Sequence, residues 1–425
     1  MCIRDRHTAV AYTSPVRLDA IPDAELLINR QPVLVAPKPD DRPVNQLRQL
    51  LRRNLIPTLK RRVRPVMRQL NLSGLVYHRV FMTALSHFGG KRELLAKALF
   101  WSGAAFLSGQ LPERDLLLVL NYHRIGNRDD DPFDPGVFSA TEDRFNDQIS
   151  YLKRHVSLVT LQEAVAFVDG TINETTRRCR VLITFDDGYL DNYQVAFPIL
   201  RSHGVQGVFF LATSMVGSCS VPWWDHIAFL MRTARQRRFS LHYPADLAID
   251  LVENGMTKSL RDLLSLYMRP GNADPERFIL ELREEAQGDD LPGTRRFLSW
   301  DEAREMIGGG MAIGSHTHSH TVLSQLGPDR QRQELARSRT LLREQLGIEA
   351  DALAYPIGAT SSFSDQTQQL AQEVGYRAAF SFHGGTNLPG MTRPYDVKRV
   401  AVDHQGWTRF RVQAAICRLT GNYWP

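Results

Sequence analysis

The sequence has 425 residues, of which 43% are hydrophobic and 23% are charged. These proportions are those of an ordinary globular protein, and the length allows one large domain of about 250–300 residues with appendages. The four cysteines lie far apart and form no CxxC pair, so nothing indicates a zinc ribbon or a disulfide framework, and a reducing compartment is favoured.

The net charge of +6 is concentrated in one segment. Residues 44–92 contain eleven Lys or Arg and no Asp or Glu, so this segment carries +11 and the remainder sums to −5. Because the basic excess is local, it argues against a nucleic-acid enzyme with a basic face on its main domain. No secretory signal opens the sequence, which predicts a protein that is cytoplasmic or peripheral to the membrane.

The first 110 residues are predicted to be extensions of the main domain. Residues 1–43 are rich in proline without a sustained period, which indicates an extended or poorly ordered lead. Residues 44–110 place apolar residues every three to four positions with arginines between them, which predicts basic amphipathic helices. Through residues 44–108 such helices could contact an anionic membrane surface, dock as a collar on the main domain, or serve as an interaction arm.

From residue 111 to residue 410, short apolar runs alternate with amphipathic helices, interrupted by a polar, helix-rich insertion at 220–296 and followed by a tail at 411–425. The predicted strands are residues 116–123, 180–187, 205–213, 311–316, 352–356 and 376–382. The predicted helices are residues 142–153, 161–168, 191–203, 299–307, 328–347 and 365–375. This alternation indicates βα units and a parallel sheet, either a (β/α) barrel or an open doubly wound sheet. In both folds the chemistry lies at the carboxyl ends of the strands.

Two adjacent carboxylates, Asp186 and Asp187, end the apolar strand at 180–187. Charged side chains rarely lie beside a core without a partner. A helix N-cap would account for one aspartate, but not for both.

Three histidines fall within five residues at the end of the strand at 311–316. His316 and His320 are four positions apart, so on a helical turn they would face the same side. Two imidazoles so placed suit a single zinc ion, whereas His318 should point away. Two imidazoles and one carboxylate form a catalytic zinc set with an open position for water, and the second aspartate is then free to act as a general base.

Other catalytic classes have no comparable support. The sequence contains no GxSxG motif and no cysteine matched to a histidine. It also lacks a Walker loop and a GxGxxG motif, so nucleotide cofactors are not expected.

TFDDG at 184–188 and HTHSH at 316–320 resemble the polysaccharide deacetylase family, carbohydrate esterase family 4. NYHRI at 121–125 and FLSWDEAREM at 297–306 are similar to the branch of that family found in bacterial exopolysaccharide clusters. The resemblance covers roughly residues 115–403. It implies an α/β fold, a distorted (β/α)7 barrel, here with a helical insertion and a basic helical N-terminal extension.

The resemblance also implies roles for individual residues. Asp186 matches the catalytic base, and the metal ligands are matched by Asp187, His316 and His320. The backbone N–H of Tyr355 matches the oxyanion-hole amide. The arginine that often precedes this proline-containing turn in the family is absent, which leaves the orientation of the base unexplained.

The general acid has several candidates. Many family members use a late histidine in a Leu-x-His context, and this chain offers His383 and His404, neither in that context. His123, at the end of the first strand, would look into a barrel site and is the favoured candidate, unless it only hydrogen-bonds a neighbouring strand end.

Substrate contacts are predicted for Trp223, Trp224, Asp225 and Pro356. The two tryptophans carry this prediction, because aromatic faces pack on pyranose rings. Core packing is the alternative for these aromatic residues, and it is favoured for Trp300 at a helix start.

The sequence therefore predicts a metal-dependent hydrolase, with zinc as the cation, that removes N-acetyl groups from an amino-sugar polysaccharide or glycan. Two alternatives stay open. The same fold could cleave other non-peptide C–N bonds, or the barrel could be an inactive glycan-binding or scaffold module. No nucleic-acid partner is expected, and nothing in the sequence indicates an oligomeric state.

Overall fold

The computed structural model describes residues 115–171, 178–269, 274–402 and 410–411. The predicted extensions at 1–43 and 44–110, and nearly all of the predicted tail at 411–425, lie outside the described residues. Within the described ranges, no helix is both long enough and apolar enough to cross a membrane.

The elements are numbered here in chain order. The strands are β1 Leu116–Tyr122, β2 Arg124–Ile125, β3 Phe138–Ala140, β4 Ser157–Leu158, β5 Cys179–Phe185, β6 Gly207–Leu211, β7 Arg238–Leu241, β8 Leu247–Asp250, β9 Ala312–Ser315, β10 Ala352–Ala354, β11 Ala378–Phe380 and β12 Arg399–Ala401. The helices are α1 Glu142–His155, α2 Leu161–Val168, α3 Phe197–His203, α4 Trp223–Arg232, α5 Gly255–Tyr267, α6 Pro275–Ala286, α7 Trp300–Gly308, α8 Pro328–Leu346 and α9 Asp365–Val374. A π-helical turn, Asn192–Ala196, precedes α3.

The central sheet is a nearly closed barrel of parallel strands. In the described part of the chain, the strands follow the order β11, β10, β9, β6, β5, β1 and β12. Val397, just before β12, forms a parallel bridge with Phe380 of β11 and so brings the two ends of the sheet together. A strand order that follows the chain around the sheet is that of a barrel, since a doubly wound sheet reverses at a switch point. The predicted (β/α)7 barrel is confirmed.

Alternation along the strands separates two apolar layers and directs polar residues into the barrel mouth. On β5, Val181, Ile183 and Phe185 belong to the large core cluster that includes the surrounding helices. Leu182 belongs to a second cluster built from the opposite strand faces. Thr184 and Asp186 continue the face of Leu182 towards the carboxyl end of the strand, where the predicted chemistry lies.

The insertion at 220–296 has its own apolar core. Its cluster includes residues of α4, α5 and α6. The insertion also contains an antiparallel hairpin of β7 and β8, which the prediction of a helix-rich insertion did not include. The hairpin residues Phe239, Leu241 and Ile249 are buried in the same cluster, because period-two alternation turns their side chains to one face.

Candidate active site

The two predicted carboxylates come together through a sharp change in the backbone after β5. The Asp186 N–H still donates to the Tyr122 carbonyl in the strand ladder. A continuing strand would turn the next side chain to the opposite face. At Asp187, however, φ is +75°, a left-handed conformation that costs about 1–3 kcal/mol for a non-glycine residue and concentrates at functional sites. Both carboxylates consequently approach His316, with Oδ–Nε2 distances of 4.0 and 3.5 Å.

His316 and His320 lie on a loop rather than on the helical turn that their spacing predicted. His316 donates its backbone N–H to Leu211 and so extends the sheet. Thr317 and His320 then adopt positive φ angles of 65° and 58°. The prediction of a helical turn was wrong, but the two rings still meet, with centroids 4.8 Å apart.

Asp187, His316 and His320 form a site that could hold a divalent cation. Their ligand atoms all lie within 4.8 Å of one another. Asp187 Oδ1 lies 3.5 Å from His316 Nε2 and 3.3 Å from His320 Nε2. Tetrahedral coordination with bonds of about 2.1 Å separates neighbouring ligand atoms by about 3.4 Å, so these distances fit one ion.

The surroundings of these atoms also fit a cation. Asp187 and His320 are 1% and 3% exposed. Neither oxygen of Asp187 has a hydrogen-bond donor among the described residues, and His320 Nε2 likewise has no partner there. A buried carboxylate without donors is costly, and a bound cation is the group that removes that cost.

Asp186 has a different environment, because the guanidinium of Arg399 in β12 donates to both of its carboxylate oxygens. Arg399 donates from its two terminal nitrogens to Oδ1 at 2.7 Å and to Oδ2 at 2.9 Å. Asn121 donates to Oδ2 at 2.8 Å. Burial raises the pKa of Asp186, but Arg399, followed by His316 and His123, outweighs burial and lowers the pKa to about 2. The carboxylate is therefore ionised and fixed in orientation.

His123 lies at the end of β1, directly beside Asp186. Its Nε2 is 3.9 Å from Asp186 Oδ2. Its backbone is held by Ser139, which accepts its N–H at 3.0 Å, and by Asn192, which donates to its carbonyl at 2.7 Å. Burial is the largest influence on its imidazole and lowers the pKa to about 4, against the opposing charges of Asp187 and Asp186.

Comparison with known proteins identifies the family. A sequence model described as polysaccharide deacetylase matches residues 173–379. This part of the chain belongs to the polysaccharide deacetylase family. The matched segment contains the carboxylate pair and both candidate imidazole ligands, whereas β1 with His123 and β12 with Arg399 lie outside it.

Two curated relatives carry related names. The putative polysaccharide deacetylase YxkH of Bacillus subtilis is 24% identical over 210 residues, which cover 49% of this chain and 45% of that protein. The poly-beta-1,6-N-acetyl-D-glucosamine N-deacetylase of Staphylococcus epidermidis is 31% identical over 118 residues, which cover 25% of this chain and 39% of that protein. The chain thus spans less than half the length of either relative.

Solved structures of deacetylases are also similar to this chain. IcaB from Ammonifex degensii has a TM-score of 0.46 and 23% identity, covering 71% of this chain and 98% of that chain. The deacetylase PplD of Streptococcus pyogenes, solved with acetate, has a TM-score of 0.45 and 18% identity, covering 70% of this chain and 97% of that chain.

Within the segment that matches the family model, the structure corrects the predicted oxyanion role of Tyr355. Its backbone N–H donates to the Phe380 carbonyl at 3.0 Å, between neighbouring strands of the barrel. An amide has one hydrogen, so this N–H is not available to a developing oxyanion. The side chain is fully buried, and its hydroxyl donates to the Tyr395 carbonyl.

Two of the predicted substrate contacts are also corrected. The side chains of Trp224 and Asp225 are completely buried. Trp224 packs in the core of the insertion, and both oxygens of Asp225 are engaged, by the Asp134 N–H and by the Tyr189 hydroxyl. Neither side chain is open to a sugar.

The remaining predicted aromatic and histidine residues are distributed as follows. Trp300 packs against the main core, as expected. His318 turns to Thr213, with Nδ1 3.1 Å from the hydroxyl oxygen. Trp223 is half-buried and Pro356 is buried, and their substrate contacts stay predictions.

The two late histidines were the other candidates for the general acid. His383 Nε2 lies 2.8 Å from Asp396 Oδ1, and His404 lies outside the described residues.

Arg399 is a residue of the candidate site that sequence reasoning missed. The family's frequent arginine near the position of Tyr355 is absent, and Arg399 supplies a positive charge beside the predicted base Asp186 instead. The available signal was the apolar alternation of KRVAV at 398–402, which is typical of a further strand and places an arginine near its start.

Glu334 of α8 holds the loop that carries the imidazoles. Its carboxylate accepts the backbone N–H groups of His318 at 3.1 Å and Ser319 at 2.8 Å, together with the Ser319 hydroxyl at 2.9 Å. A side chain that orients metal ligands from outside the ligand set typically changes metal affinity about 10–100-fold when it is removed. Glu334 is therefore a positioning residue of the candidate site.

We expect Glu334→Ala to weaken zinc affinity about tenfold, because the loop loses three hydrogen bonds at once. Titration against a competing chelator measures this change. Glu334→Gln is the matched control, since its amide oxygen still accepts a hydrogen bond and should retain most of the affinity. Equal affinity for the alanine variant and the wild type would contradict a positioning role.

Proposed function

We propose that this chain is a metal-dependent deacetylase that removes N-acetyl groups from amino-sugar residues of a polysaccharide or glycan, with zinc as its cation. The observation that carries the proposal is the convergence of three cation ligands with a fixed carboxylate and a buried imidazole at one end of the barrel. Family membership supports the same reaction class. The name of the Staphylococcus epidermidis relative supports an N-acetylglucosamine polymer as the substrate class.

Asp187, His316 and His320 would hold the cation. When bound, a divalent cation supplies a positive charge that polarises an acyl carbonyl and lowers the pKa of a water molecule at the same site. Asp186 is the base in this proposal, because its Oδ2 lies 4.0 Å from Nε2 of the ligand His316 and 3.9 Å from Nε2 of His123. Arg399 keeps this carboxylate ionised and aligned for the attacking water.

His123 would deliver the proton to the departing amine. With a pKa of about 4, its imidazole is neutral at pH 7 before the reaction. The proton that leaves the water therefore passes through Asp186 to His123 and on to the amine nitrogen, so the acyl C–N bond breaks without releasing a free amide anion. Asp186 Oδ2 and His123 Nε2 lie 3.9 Å apart, so a small movement of either side chain brings them within the hydrogen-bond distance that this relay needs.

Trp223 remains the predicted sugar contact on the side of the insertion. It stacks on Tyr267 with ring centroids 4.3 Å apart and meets Trp224 edge-on at 5.4 Å. Trp224 in turn packs on His320, so a half-buried aromatic surface begins two rings away from a candidate metal ligand.

Acetate release tests the proposed function. Purified protein loaded with zinc should liberate acetate from N-acetylglucosamine oligomers, and removal of the metal with a chelator should stop the release until zinc is restored. Higher kcat/KM on acyl amides that contain no sugar would favour the alternative of other C–N bonds. Glycan binding without metal content or acetate release would favour the inactive binding module.

The role of His123 can be tested through the leaving group. We expect His123→Gln to lower kcat on N-acetylglucosamine oligomers about 100–1000-fold, the usual contribution of a positioned general acid. Hydrolysis of 4-nitrophenyl acetate should change little, because nitrophenolate leaves without protonation. Equal losses on both substrates would contradict the assignment of His123 as the acid.

A further inference from the structure

The two candidate imidazole ligands are held in different ways. His316 Nδ1 lies 2.8 Å from the Ala354 carbonyl oxygen, and this hydrogen bond leaves Nε2 for a cation. His320 Nδ1 has no hydrogen-bond partner among the described residues, although the residue is only 3% exposed. Metal-binding imidazoles almost always donate their second N–H to an oxygen, which fixes the tautomer and the ring orientation. His320 lacks that support.

At His320, the contact that restricts the imidazole comes from an indole ring instead of a carbonyl oxygen. The Trp224 ring lies against the His320 ring, with centroids 4.5 Å apart and planes tilted by 55°. Trp224 is the first fully buried residue of α4, the helix that opens the insertion. It therefore restricts the imidazole by contact on its face rather than by a hydrogen bond at its edge.

The indole itself is fixed by a chain of buried hydrogen bonds. Trp224 Nε1 donates to the Tyr189 hydroxyl at 2.7 Å, and that hydroxyl donates to Asp225 Oδ2 at 3.0 Å. The Asp134 N–H donates to the other oxygen of Asp225, and Arg296 Nε lies 3.4 Å from the first. Tyr189 follows the Asp186–Asp187 turn by two residues, so this chain ties α4 to the loop that carries the carboxylates.

We propose that Trp224 is a positioning residue for the cation ligand His320, and that the insertion at 220–296 is thereby part of the metal centre. The indole limits rotation of the His320 ring and keeps Nε2 directed at Asp187 Oδ1. Without it, the imidazole would have to be ordered at the moment the cation binds, and that conformational entropy would be subtracted from the binding free energy. The proposal rests on the metal site of the proposed function, but not on its substrate.

Metal affinity without substrate tests this role. The apo protein is titrated with Zn²⁺ against a competing chelator and with Co²⁺, whose visible spectrum reports ligand geometry. We expect Trp224→Leu to bind Zn²⁺ about 10–100-fold more weakly, as removal of an orienting partner does, and to give an altered Co²⁺ spectrum. Trp224→Met replaces the indole with a flexible, unbranched apolar chain that adapts to irregular gaps, so it tests the same loss with a side chain that packs differently from leucine.

Phe278→Leu is the matched control. Phe278 is as buried as Trp224, belongs to the same apolar cluster and packs on Tyr267. Its truncation should lower the melting temperature of the insertion while leaving Zn²⁺ affinity and the Co²⁺ spectrum unchanged.

The outcomes separate this proposal from the proposed function. A folded Trp224→Leu or Trp224→Met variant with wild-type Zn²⁺ affinity would overturn the role of Trp224 alone. The same would follow if Phe278→Leu weakened binding as much, since general loss of packing would then explain the effect. A wild-type protein that binds neither Zn²⁺ nor Co²⁺ would overturn the metal centre itself.

Discussion

Asp187→Ala is expected to bind zinc at least about 100-fold more weakly than the wild type, because the loss of an orienting partner alone costs about 10–100-fold and this change removes a ligand. The Asp187 carboxylate lies closest to both imidazoles and provides the only negative charge of the ligand set. Elemental analysis after dialysis, together with chelator competition, measures the change.

Asp186→Asn is the matched control for this variant. It alters the adjacent carboxylate, which Arg399 and Asn121 hold. We expect it to retain zinc but to lose acetate release, because the base is removed while the ligands remain. If Asp186→Asn lost the metal and Asp187→Ala kept it, the two aspartates would have exchanged roles.

The same site makes a prediction about stability. In the apo protein, Asp187 is a buried charge whose oxygens have no hydrogen-bond donor in the described part of the chain. Asp187→Asn should therefore leave the apo protein at least as stable as the wild type near pH 7, since an unpaired buried charge costs more than an amide of equal size. Saturating zinc should raise the melting temperature of the wild type and not that of the variant. A large loss of apo stability in Asp187→Asn would contradict this account.

Arg399→Met is expected to have the second large effect, on stability and on activity together. Removal of one partner of a buried ion pair costs about 3–5 kcal/mol, because the other charge stays buried without compensation. Arg399 and Asp186 are 0% and 2% exposed. Arg399 also donates to the Ser381 carbonyl and to Asn121 Oδ1. Chemical denaturation of the metal-loaded protein measures the loss in the free energy of unfolding.

The pH dependence of this effect has a definite sign. Arg399 is the largest of the influences that bring the pKa of Asp186 down to about 2 from its ordinary value of 3.8. A lowered pKa contributes stability that is present above 3.8 and is lost as the pH falls towards 2. In Arg399→Met, the charge that opposed the effect of burial is gone, so the pKa of Asp186 rises. The acidic limb of the kcat/KM profile should therefore move to higher pH.

Two controls isolate the contribution of Arg399. Arg180 is equally buried and belongs to β5, but it pairs with Asp115 near the start of the strand. Arg180→Met should lower stability without moving the pH profile. The double variant Arg399→Met with Asp186→Asn should be more stable than Arg399→Met alone, because the unpaired charge has been neutralised. If the single variant kept the wild-type pH profile, Arg399 would have no part in setting the base.

The candidate cation ligands could be named from the sequence because their information is local. Asp186 and Asp187 directly follow an apolar strand, and His316 and His320 directly follow another. Parallel strands bring their carboxyl ends to one edge of the barrel. Side chains at these positions must therefore converge, even though the loop conformation at His320 was not foreseen.

The partners of those residues were decided only by the tertiary structure. Arg399 lies 213 positions from Asp186, on a three-residue strand that the sequence analysis did not count. Trp224 reaches His320 from an insertion that the sequence analysis connected with the site only through predicted substrate contacts. Short strands carry a weak periodic signal. Arg399 meets Asp186 because β12 pairs with β1, and Trp224 meets His320 because the insertion packs beside the barrel. No spacing along the chain encodes either contact.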